Sequence, residues 1–334
     1  MNFMEIKCDS NTGTKEISQS NFKSNNSESP LISIGLPLYN AEKFLKKRLN
    51  NIFSQTYDHF ELILSVDPSD DSTIEICKEF VKKDIRIKYF EQNKKMGWVW
   101  SFSFVAKKAT GKYFVWAAAD DLWSTDFLEK HIKNLENDPK SVGCYSKITL
   151  TGKFASEFQI HPNDSKISRI YKQFRKHFRA FNIIPIQANS FKNRATIMFR
   201  NTSYPTYGVY RRQEFQKSII EKEFFVWDFG VFLNVIRYGN INLIDEYLYV
   251  SFWDDSTTTR KGIINQFHVQ NTNLNEYFFP YSSFSYWCAR NIGFDFFIKN
   301  FDFFLWLNFM GEVAIVIDLY KHAKKYFKNV FYKY

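Results

Sequence analysis

The sequence predicts an α/β protein whose mostly parallel sheet is flanked by helices. Between residues 31 and 137, short apolar segments alternate with segments of helical periodicity, at the spacing of βαβ units. The apolar segments are nearly continuous runs, as in residues 60–66, which is typical of strands buried on both faces. This pattern therefore predicts parallel strands joined by helices.

Four strand–helix pairs make up this region, and residues that interrupt regular structure separate them. The first strand ends at Pro37, Gly111 ends the third helix, and Asp138 and Pro139 stop the fourth. The predicted strands cover 32–37, 60–66, 85–90 and 113–117, and the predicted helices cover about 42–54, 72–81, 100–109 and 125–137. Farther along, we expect a strand near 207–212, a helix over about 227–238 and a strand or strand pair over 242–251.

Composition divides the chain into three parts. Residues 1–30 are polar and rich in Asn, Ser and Lys, which predicts a disordered tail. Residues 31–260 form the predicted α/β domain, and residues 261–334 a helical, aromatic-rich extension. Its last stretch, 319–334, interleaves five lysines with aromatic residues. That stretch is either a helix packed on the domain with its lysines in water, or an amphipathic helix on an anionic membrane surface.

Net charge, cysteine pattern and composition limit the ligands and the cellular location that we expect. A net charge of +10 suits phosphate-bearing ligands or anionic lipid, while zinc-finger spacing and RNA-binding aromatic signatures are absent, so no nucleic acid partner is expected. The four cysteines are scattered, which predicts a cytoplasmic protein, with attachment to the inner face of the cell membrane as an open alternative. We expect no membrane-spanning helix. The 37 phenylalanines reflect either codon bias or a functional aromatic surface.

Polar side chains follow each predicted strand. Ligands of parallel α/β sheets bind at the carboxyl ends of the strands, so these side chains predict one binding rim. Its candidate residues are Pro37, Tyr39, Asn40, Asp67, Asn93, Gly97, Asp120 and Asp121.

The residue types on this rim suit a nucleoside diphosphate. Asp120 and Asp121 offer the hard oxygen ligands that Mg²⁺ or Mn²⁺ prefers, and such a cation acts as a Lewis acid on a leaving diphosphate. Asp67 can accept a hydrogen bond from a base or a ribose, and Tyr39 can stack on a base. Turn and cap roles are the structural alternatives for these aspartates.

Asp228 is the candidate general base. It lies at the start of an apolar helix, where a carboxylate could take the proton of an acceptor hydroxyl. The alternative is a carboxylate that is merely favoured by the helix dipole.

Five motifs together resemble the donor-binding half of family 2 glycosyltransferases, which have the A-type, Rossmann-like fold. Residues 37–45 resemble the opening P-x-Y-N segment, and residues 55–63 resemble the Q-T-Y-x-x-aromatic-E stretch. Residues 67–73 resemble the D-D/N-x-S-x-D-x-T segment. Residues 109–114 resemble the lead-in to the metal motif, and residues 119–121 occupy that motif. A weaker similarity continues to about residue 249.

The resemblance implies an activity: transfer of a hexose or N-acetylhexosamine from a nucleotide-diphosphate sugar, UDP-linked by default. The acceptor would be a glycan or lipid-linked glycan, in cell-surface polysaccharide or glycoconjugate biosynthesis. Transfer would be an inverting single displacement that depends on Mg²⁺ or Mn²⁺.

The resemblance also implies roles for individual residues. Asp67 would contact the base, Asp120 the ribose or diphosphate, and Asp121 the metal, while Asp228 would be the catalytic base. The nucleotide pocket would be lined by Tyr39 and Asn40.

Two alternatives stay open. Ala118 and Ala119 stand where many family members have another acidic residue, so a non-catalytic relative that binds nucleotide sugars or serves as a scaffold is possible on the sequence. A nucleotidyltransferase would need a glycine-rich phosphate loop near the first strand, which residues 35–37 do not provide.

Overall fold

The computed structural model describes residues 4–8, 13–19, 31–152, 162, 166, 169, 183–200, 205–252 and 274–331. They fall into two compact units. The first comprises Met1–Ile219 and Val231–Trp253, and the second comprises Ile220–Gly230 and Asp254–Tyr334. The sheet and the predicted rim belong to the first unit.

One mixed sheet of ten strands organises the described part of the first unit. The strands are β1 Met4–Cys8, β2 Lys15–Gln19, β3 Ile32–Leu38, β4 Phe60–Val66, β5 Ile87–Glu91, β6 Tyr113–Trp116, β7 Leu122–Trp123, β8 Ser141–Thr151, β9 Gly208–Arg211 and β10 Asn240–Phe252. Their order is β1-β2-β5-β4-β3-β6-β9-β8-β10-β7. The central strands β5, β4, β3 and β6 are parallel, as are β8 and β10, and the other neighbours are antiparallel. The predicted α/β fold is confirmed, with its parallel strands at the centre.

Helices join the central strands at the predicted places. In chain order the helices are α1 Glu42–Phe53, α2 Thr73–Val81, α3 Trp98–Lys108, α4 Phe127–Asn137, α5 Phe191–Arg200, α6 Arg212–Ser218 and α7 Trp227–Val235. The second unit adds α8 Leu274–Phe278, α9 Ser282–Asn291, α10 Phe294–Lys299 and α11 Phe301–Phe331. The helical C-terminal region is therefore confirmed. No helix of the described ranges combines the length and apolarity that crossing a bilayer requires.

A buried hydrogen-bond network connects the amino ends of the central strands. The Ser33 hydroxyl donates to Glu61 Oε1 at 2.5 Å, and the amides of Thr110 and Gly111 donate to the same two side chains. Burial opposes ionisation of Glu61, but hydrogen bonds from Lys88 and Ser33 hold its pKa below the usual value. A Cβ at position 111 would lie 2.9 Å from the backbone of β3, so only glycine fits there. These motif residues therefore hold the fold, at the edge opposite to the rim.

Two strands lie in the segment that the sequence predicts to be a disordered tail. β1 and β2 form an antiparallel hairpin, and β2 pairs with β5 at the edge of the parallel sheet. Ile17 is buried there, and the Thr14 hydroxyl donates to Gln92 Oε1 at 2.7 Å. The prediction of disorder is wrong for these strands, because the open edge of β5 supplies the backbone partners that the local composition does not reveal.

Candidate functional site

The predicted rim is one continuous edge of the parallel sheet. Since β5, β4, β3 and β6 are adjacent and parallel, the segments that follow them share an edge. The Asp67 amide donates to Leu38 O at 2.9 Å, which joins the ends of β3 and β4. The Ala117 amide donates to Gly35 O at 2.8 Å, which aligns the segment after β6 with them.

Asp67 has a buried carboxylate whose two oxygens differ in their hydrogen bonds. The residue is 3% exposed, and its Oδ2 accepts from the amides of Met96 and Gly97 at 3.0 and 3.2 Å. Its Oδ1 has no hydrogen-bond partner among the residues that the structure describes. Burial raises the pKa of Asp67 despite the two amide donors, the charge of Lys95 and the nearby Ser101 hydroxyl. A buried carboxylate oxygen without a donor is costly, so a donor from a ligand or from water would stabilise it.

Gly97 gives this arrangement its backbone geometry. Its φ is +87°, in the region that favours glycine, and apart from its chain neighbours no atom of the described residues lies within 4 Å of where a Cβ would stand. The residue precedes α3 and aims its amide at Asp67. A ligand could therefore approach the backbone closely at this point.

Asn40 and Tyr39 follow β3 on the same rim. Asn40 adopts a left-handed φ of +46° and ties two loops together, because its amide donates to Ser69 Oγ at 3.1 Å and its Oδ1 accepts from the Asp70 amide at 3.0 Å. Tyr39 is 41% exposed, and Lys95 Nζ lies 3.9 Å from its ring centroid. Asn40 thus shapes the rim, while Tyr39 offers it an exposed aromatic ring.

Two further predicted residues are placed differently. Pro37 lies inside β3, where it is only partly exposed. Asn93 contacts the N-terminal hairpin, because a Cβ at Gly13 would lie 2.1 Å from Asn93 Nδ2. Asn93 therefore lies next to the N-terminal hairpin, and its side chain is exposed.

The two adjacent carboxylates have different environments. Asp121 is 3% exposed, and its Oδ2 accepts from the Tyr249 hydroxyl at 2.7 Å while its Oδ1 accepts from the Phe252 amide at 2.9 Å. Asp120 is more exposed, and the hydrogen bond that lowers its pKa comes from its own backbone. Burial and the charge of Asp121 raise the pKa of Asp120 to about 6. This geometry favours Asp120 over Asp121 as the carboxylate that meets a ligand.

Arg48 is the residue near this pair that the sequence did not single out. It is fully buried, its guanidinium carbon lies 3.9 Å from the Trp123 ring centroid, and its Nη1 donates to Asn51 Oδ1 at 3.0 Å. Burial lowers its pKa to about 10, against the opposing charges of the two aspartates. The sequence feature that could have identified Arg48 is its position on the apolar face of an amphipathic helix.

The described residues could hold a cation only if a bound phosphate compound and water completed its coordination. Among them, no group of three or more His, Cys, Asp or Glu side chains could hold a metal ion. Mg²⁺ in phosphate-binding sites is commonly held by one or two carboxylates, with phosphates and water as the other ligands. Asp120 fits that chemistry, since its carboxylate is not engaged by another side chain in the hydrogen bonds described above.

Asp228 belongs to the second unit. It is the second residue of α7, it is half-buried, and its Oδ1 accepts from the Phe229 amide at 3.0 Å. Val226, two residues earlier, has a φ of +57°, which costs a β-branched residue about 1–3 kcal/mol. Such strain occurs often at functional sites, and the role of Asp228 as a base remains a prediction.

Comparisons with known proteins agree with this fold. TarS from S. aureus, whose residues 1–349 have been solved in complex with UDP-GlcNAc, is similar to this chain with a TM-score of 0.52 and 15% identity. The alignment covers 71% of this chain and 64% of that solved TarS chain. At this level of identity the likeness supports the fold alone.

Sequence relatives and a family model name the family. An uncharacterized glycosyltransferase of Haemophilus influenzae is 32% identical over 123 residues, 36% of this chain and 38% of that protein. TuaG of Bacillus subtilis, provisionally assigned to teichuronic acid biosynthesis, is 32% identical over 106 residues, 31% of this chain and 41% of TuaG. The match thus spans about two fifths of these relatives. The model of glycosyl transferase family 2 matches residues 33–201, half of the chain, and this chain belongs to that family.

Proposed function

We propose that this chain transfers a sugar from a nucleotide-diphosphate sugar to a glycan or lipid-linked glycan. The observation that carries the proposal is the pair of carboxylates on one rim, the buried Asp67 with an unpartnered oxygen and the more accessible Asp120. The first suits a donor on a nucleobase, and the second suits the cation that accompanies a diphosphate. Membership of family 2 supports the same reading.

Asp67 would select the base. A carboxylate oxygen accepts from a ring N–H, which uracil, thymine and guanine carry and which cytosine lacks. UDP is our default donor nucleotide, and TarS, whose fold is similar, has been solved with UDP-GlcNAc. Tyr39 would stack on the base from the exposed side of the rim.

Asp120 would hold Mg²⁺ or Mn²⁺ together with the diphosphate. A bound cation supplies Lewis-acid stabilisation of the leaving diphosphate. Asp121, to which the family resemblance assigns the metal, would in this proposal position the segment, because both of its oxygens accept hydrogen bonds from β10.

Asp228 would act as the general base of an inverting single displacement. It would take the proton of the acceptor hydroxyl as that oxygen bonds to the anomeric carbon and the bond to the diphosphate breaks. The half-buried carboxylate at the start of α7 supports this assignment.

The acceptor and location extend the same proposal. The name of TuaG supports a role in cell-surface polysaccharide biosynthesis. A hexose or N-acetylhexosamine as the transferred sugar is part of our proposal. We place the reaction at the cytoplasmic face of the cell membrane, where a lipid-linked glycan would be met by the aromatic second unit.

A non-catalytic nucleotide-sugar-binding relative is the second candidate. It is favoured by Ala118 and Ala119 beside the acidic pair and by the full engagement of Asp121. This candidate would bind the donor without turning it over.

Calorimetric titration with UDP, GDP and dTDP, each with and without Mn²⁺, tests the donor site. We expect metal-dependent binding of one nucleotide. Asp228→Asn should then retain that binding and lose transfer, whereas an inactive relative would show no transfer to lose. If none of the three nucleotides binds, the proposed donor site is wrong.

A further inference from the structure

The second unit exposes far more large apolar side chains than the first. Eleven of the sixteen such side chains exposed in the described ranges lie between residues 277 and 319. Single exposed apolar residues are ordinary on soluble proteins, but a contiguous patch marks a surface that meets something apolar. The described part of the first unit, although larger, accounts for the other five.

These side chains are arranged along helices α10 and α11. On α11 the exposed apolar positions recur at intervals of four, four, seven and three residues, which places them on one side of the helix. On α10 the two exposed positions are four residues apart. We call this set the C-terminal apolar face. Its members are Phe294, Ile298, Phe301, Leu305, Phe309, Val316 and Leu319.

A groove of about 580 Å³ continues this face into the unit. Its volume lies within the range of small-molecule sites, ~300–1,000 Å³. Its polar Asn308 is already engaged, since its Oδ1 accepts from the Tyr281 amide at 3.0 Å and its Nδ2 donates to Ser285 Oγ at 3.3 Å. Ser282, Ser285 and Glu312 also line the groove, but most of its wall is aromatic or aliphatic, so it suits a hydrocarbon chain. Its apolar lining includes Phe294, Phe297, Phe301, Phe304, Leu305 and Phe309.

The sequence of α11 divides the helix by charge. Residues 301–318 contain three acidic residues and no lysine or arginine, whereas residues 319–331 contain four lysines and no acidic residue. Each lysine close to an anionic membrane surface contributes about 1 kcal/mol to binding. The basic end therefore favours an anionic lipid surface over a neutral one.

We propose that the C-terminal apolar face docks on an anionic lipid bilayer and that the groove receives a hydrocarbon chain of one of its lipids. The helix would lie in the plane of the interface, with its apolar side among the acyl chains and its basic end at the headgroups. This inference extends the proposed function, because it names the surface that would hold the enzyme near a lipid-linked acceptor. The role in bringing the enzyme to its acceptor rests on the proposed function, whereas the docking itself does not.

Vesicle flotation of the full chain tests the docking directly. Vesicles of phosphatidylcholine alone are compared with vesicles that also contain phosphatidylglycerol, and no nucleotide sugar is added, so failure here is distinguishable from failure of sugar transfer. We expect flotation with the anionic vesicles only. The double variant Leu305→Glu/Phe309→Glu should bind about tenfold or more weakly, because two apolar side chains would become charged.

Matched controls separate docking from folding. Leu305 and Phe309 are 57% and 53% exposed, so the double variant should fold and keep its nucleotide affinity. Ile85→Glu, at a 43% exposed apolar position of the first unit, should float like the wild type. Lys324→Gln/Lys325→Gln should weaken binding to the anionic vesicles.

Three results would overturn the inference. The first is a wild-type chain that fails to float with anionic vesicles, and the second is a Leu305→Glu/Phe309→Glu variant that floats as well as the wild type. The third is a dimer in solution that this variant dissociates while the wild type ignores vesicles, because the face would then be covered by a second copy of the chain.

Discussion

The rim of the first unit and the C-terminal apolar face of the second contrast in how they are built. On the rim a few polar atoms are individually placed, as when two amides hold one oxygen of Asp67 and leave the other unpartnered among the described residues. The apolar face consists of many side chains with large exposed fractions. Recognition of one ligand needs positioned partners, whereas adhesion to a fluid surface needs area and charge.

The same contrast recurs on a smaller scale between Asp120 and Asp121. Adjacent in sequence, they share a burial penalty that raises the pKa of both. Asp121 accepts hydrogen bonds from β10 through both oxygens, and we propose that it acts as part of the framework. Asp120 is the more exposed of the two, and we propose that it is the one that meets the ligand.

The largest expected effect is on transfer in Asp120→Asn. Loss of the carboxylate that would hold the cation and diphosphate should lower the transfer rate by about 10²–10³-fold. The free energy of unfolding should stay unchanged or rise, because a costly partly buried charge is removed. A steady-state assay with saturating donor and Mn²⁺, together with thermal unfolding, provides both numbers. Wild-type rates in this variant would contradict the assignment.

Asp121→Ala should instead act on stability. It leaves the Tyr249 hydroxyl and the Phe252 amide without their acceptor in a buried place, which we expect to lower the free energy of unfolding by about 3 kcal/mol. Tyr249→Phe is the matched control, since it removes one donor and keeps the acceptor, at a cost of about 1 kcal/mol. Urea unfolding measures both. An Asp121→Ala variant that is as stable as the wild type but inactive would indicate that Asp121, and not Asp120, holds the metal.

Asp67→Asn should weaken nucleotide binding. Replacing the free carboxylate oxygen by an amide loses a charge-assisted hydrogen bond of about 1.5–3 kcal/mol, so the affinity for UDP should fall about ten- to hundredfold. Asp70→Asn is the control, because its side chain is exposed on the same loop. Equal affinities of the two variants in calorimetry would remove Asp67 from the base site.

The sequence was sufficient for the central sheet and for the placement of the rim. Strand and helix periods are local, so β3 to β6 and their helices were predictable, and parallel pairing then brings the strand ends together. The sequence was insufficient where the role of a residue depends on contacts with a segment far away in the chain. The roles of Asp120 and Asp121 separate only when β10, about 130 residues away, supplies its donors. The buried guanidinium of Arg48 and the pairing of β2 with β5 depend on long-range contacts in the same way.

The smallest expected effect is a pH dependence of cation-assisted nucleotide binding. The pKa of Asp120 is raised to about 6 by burial and by Asp121, and a protonated carboxyl does not bind Mn²⁺. The affinity for UDP with Mn²⁺ should therefore fall up to about tenfold for each pH unit below 6 and level off above it. Calorimetry across this range, with UDP alone as the reference, isolates the cation-dependent part.

Folding stability without cation should respond to Asp120 in the opposite direction. A carboxyl whose pKa is higher in the folded chain than in the unfolded chain favours folding when protonated, and this contribution is lost as pH rises from about 4 through 6. Asp120→Asn has no proton to exchange, so its stability should lack this component and its weak Mn²⁺ response should not change with pH in this window. A variant that keeps both dependences would show that another group, with Asp121 the nearest candidate, titrates at the rim.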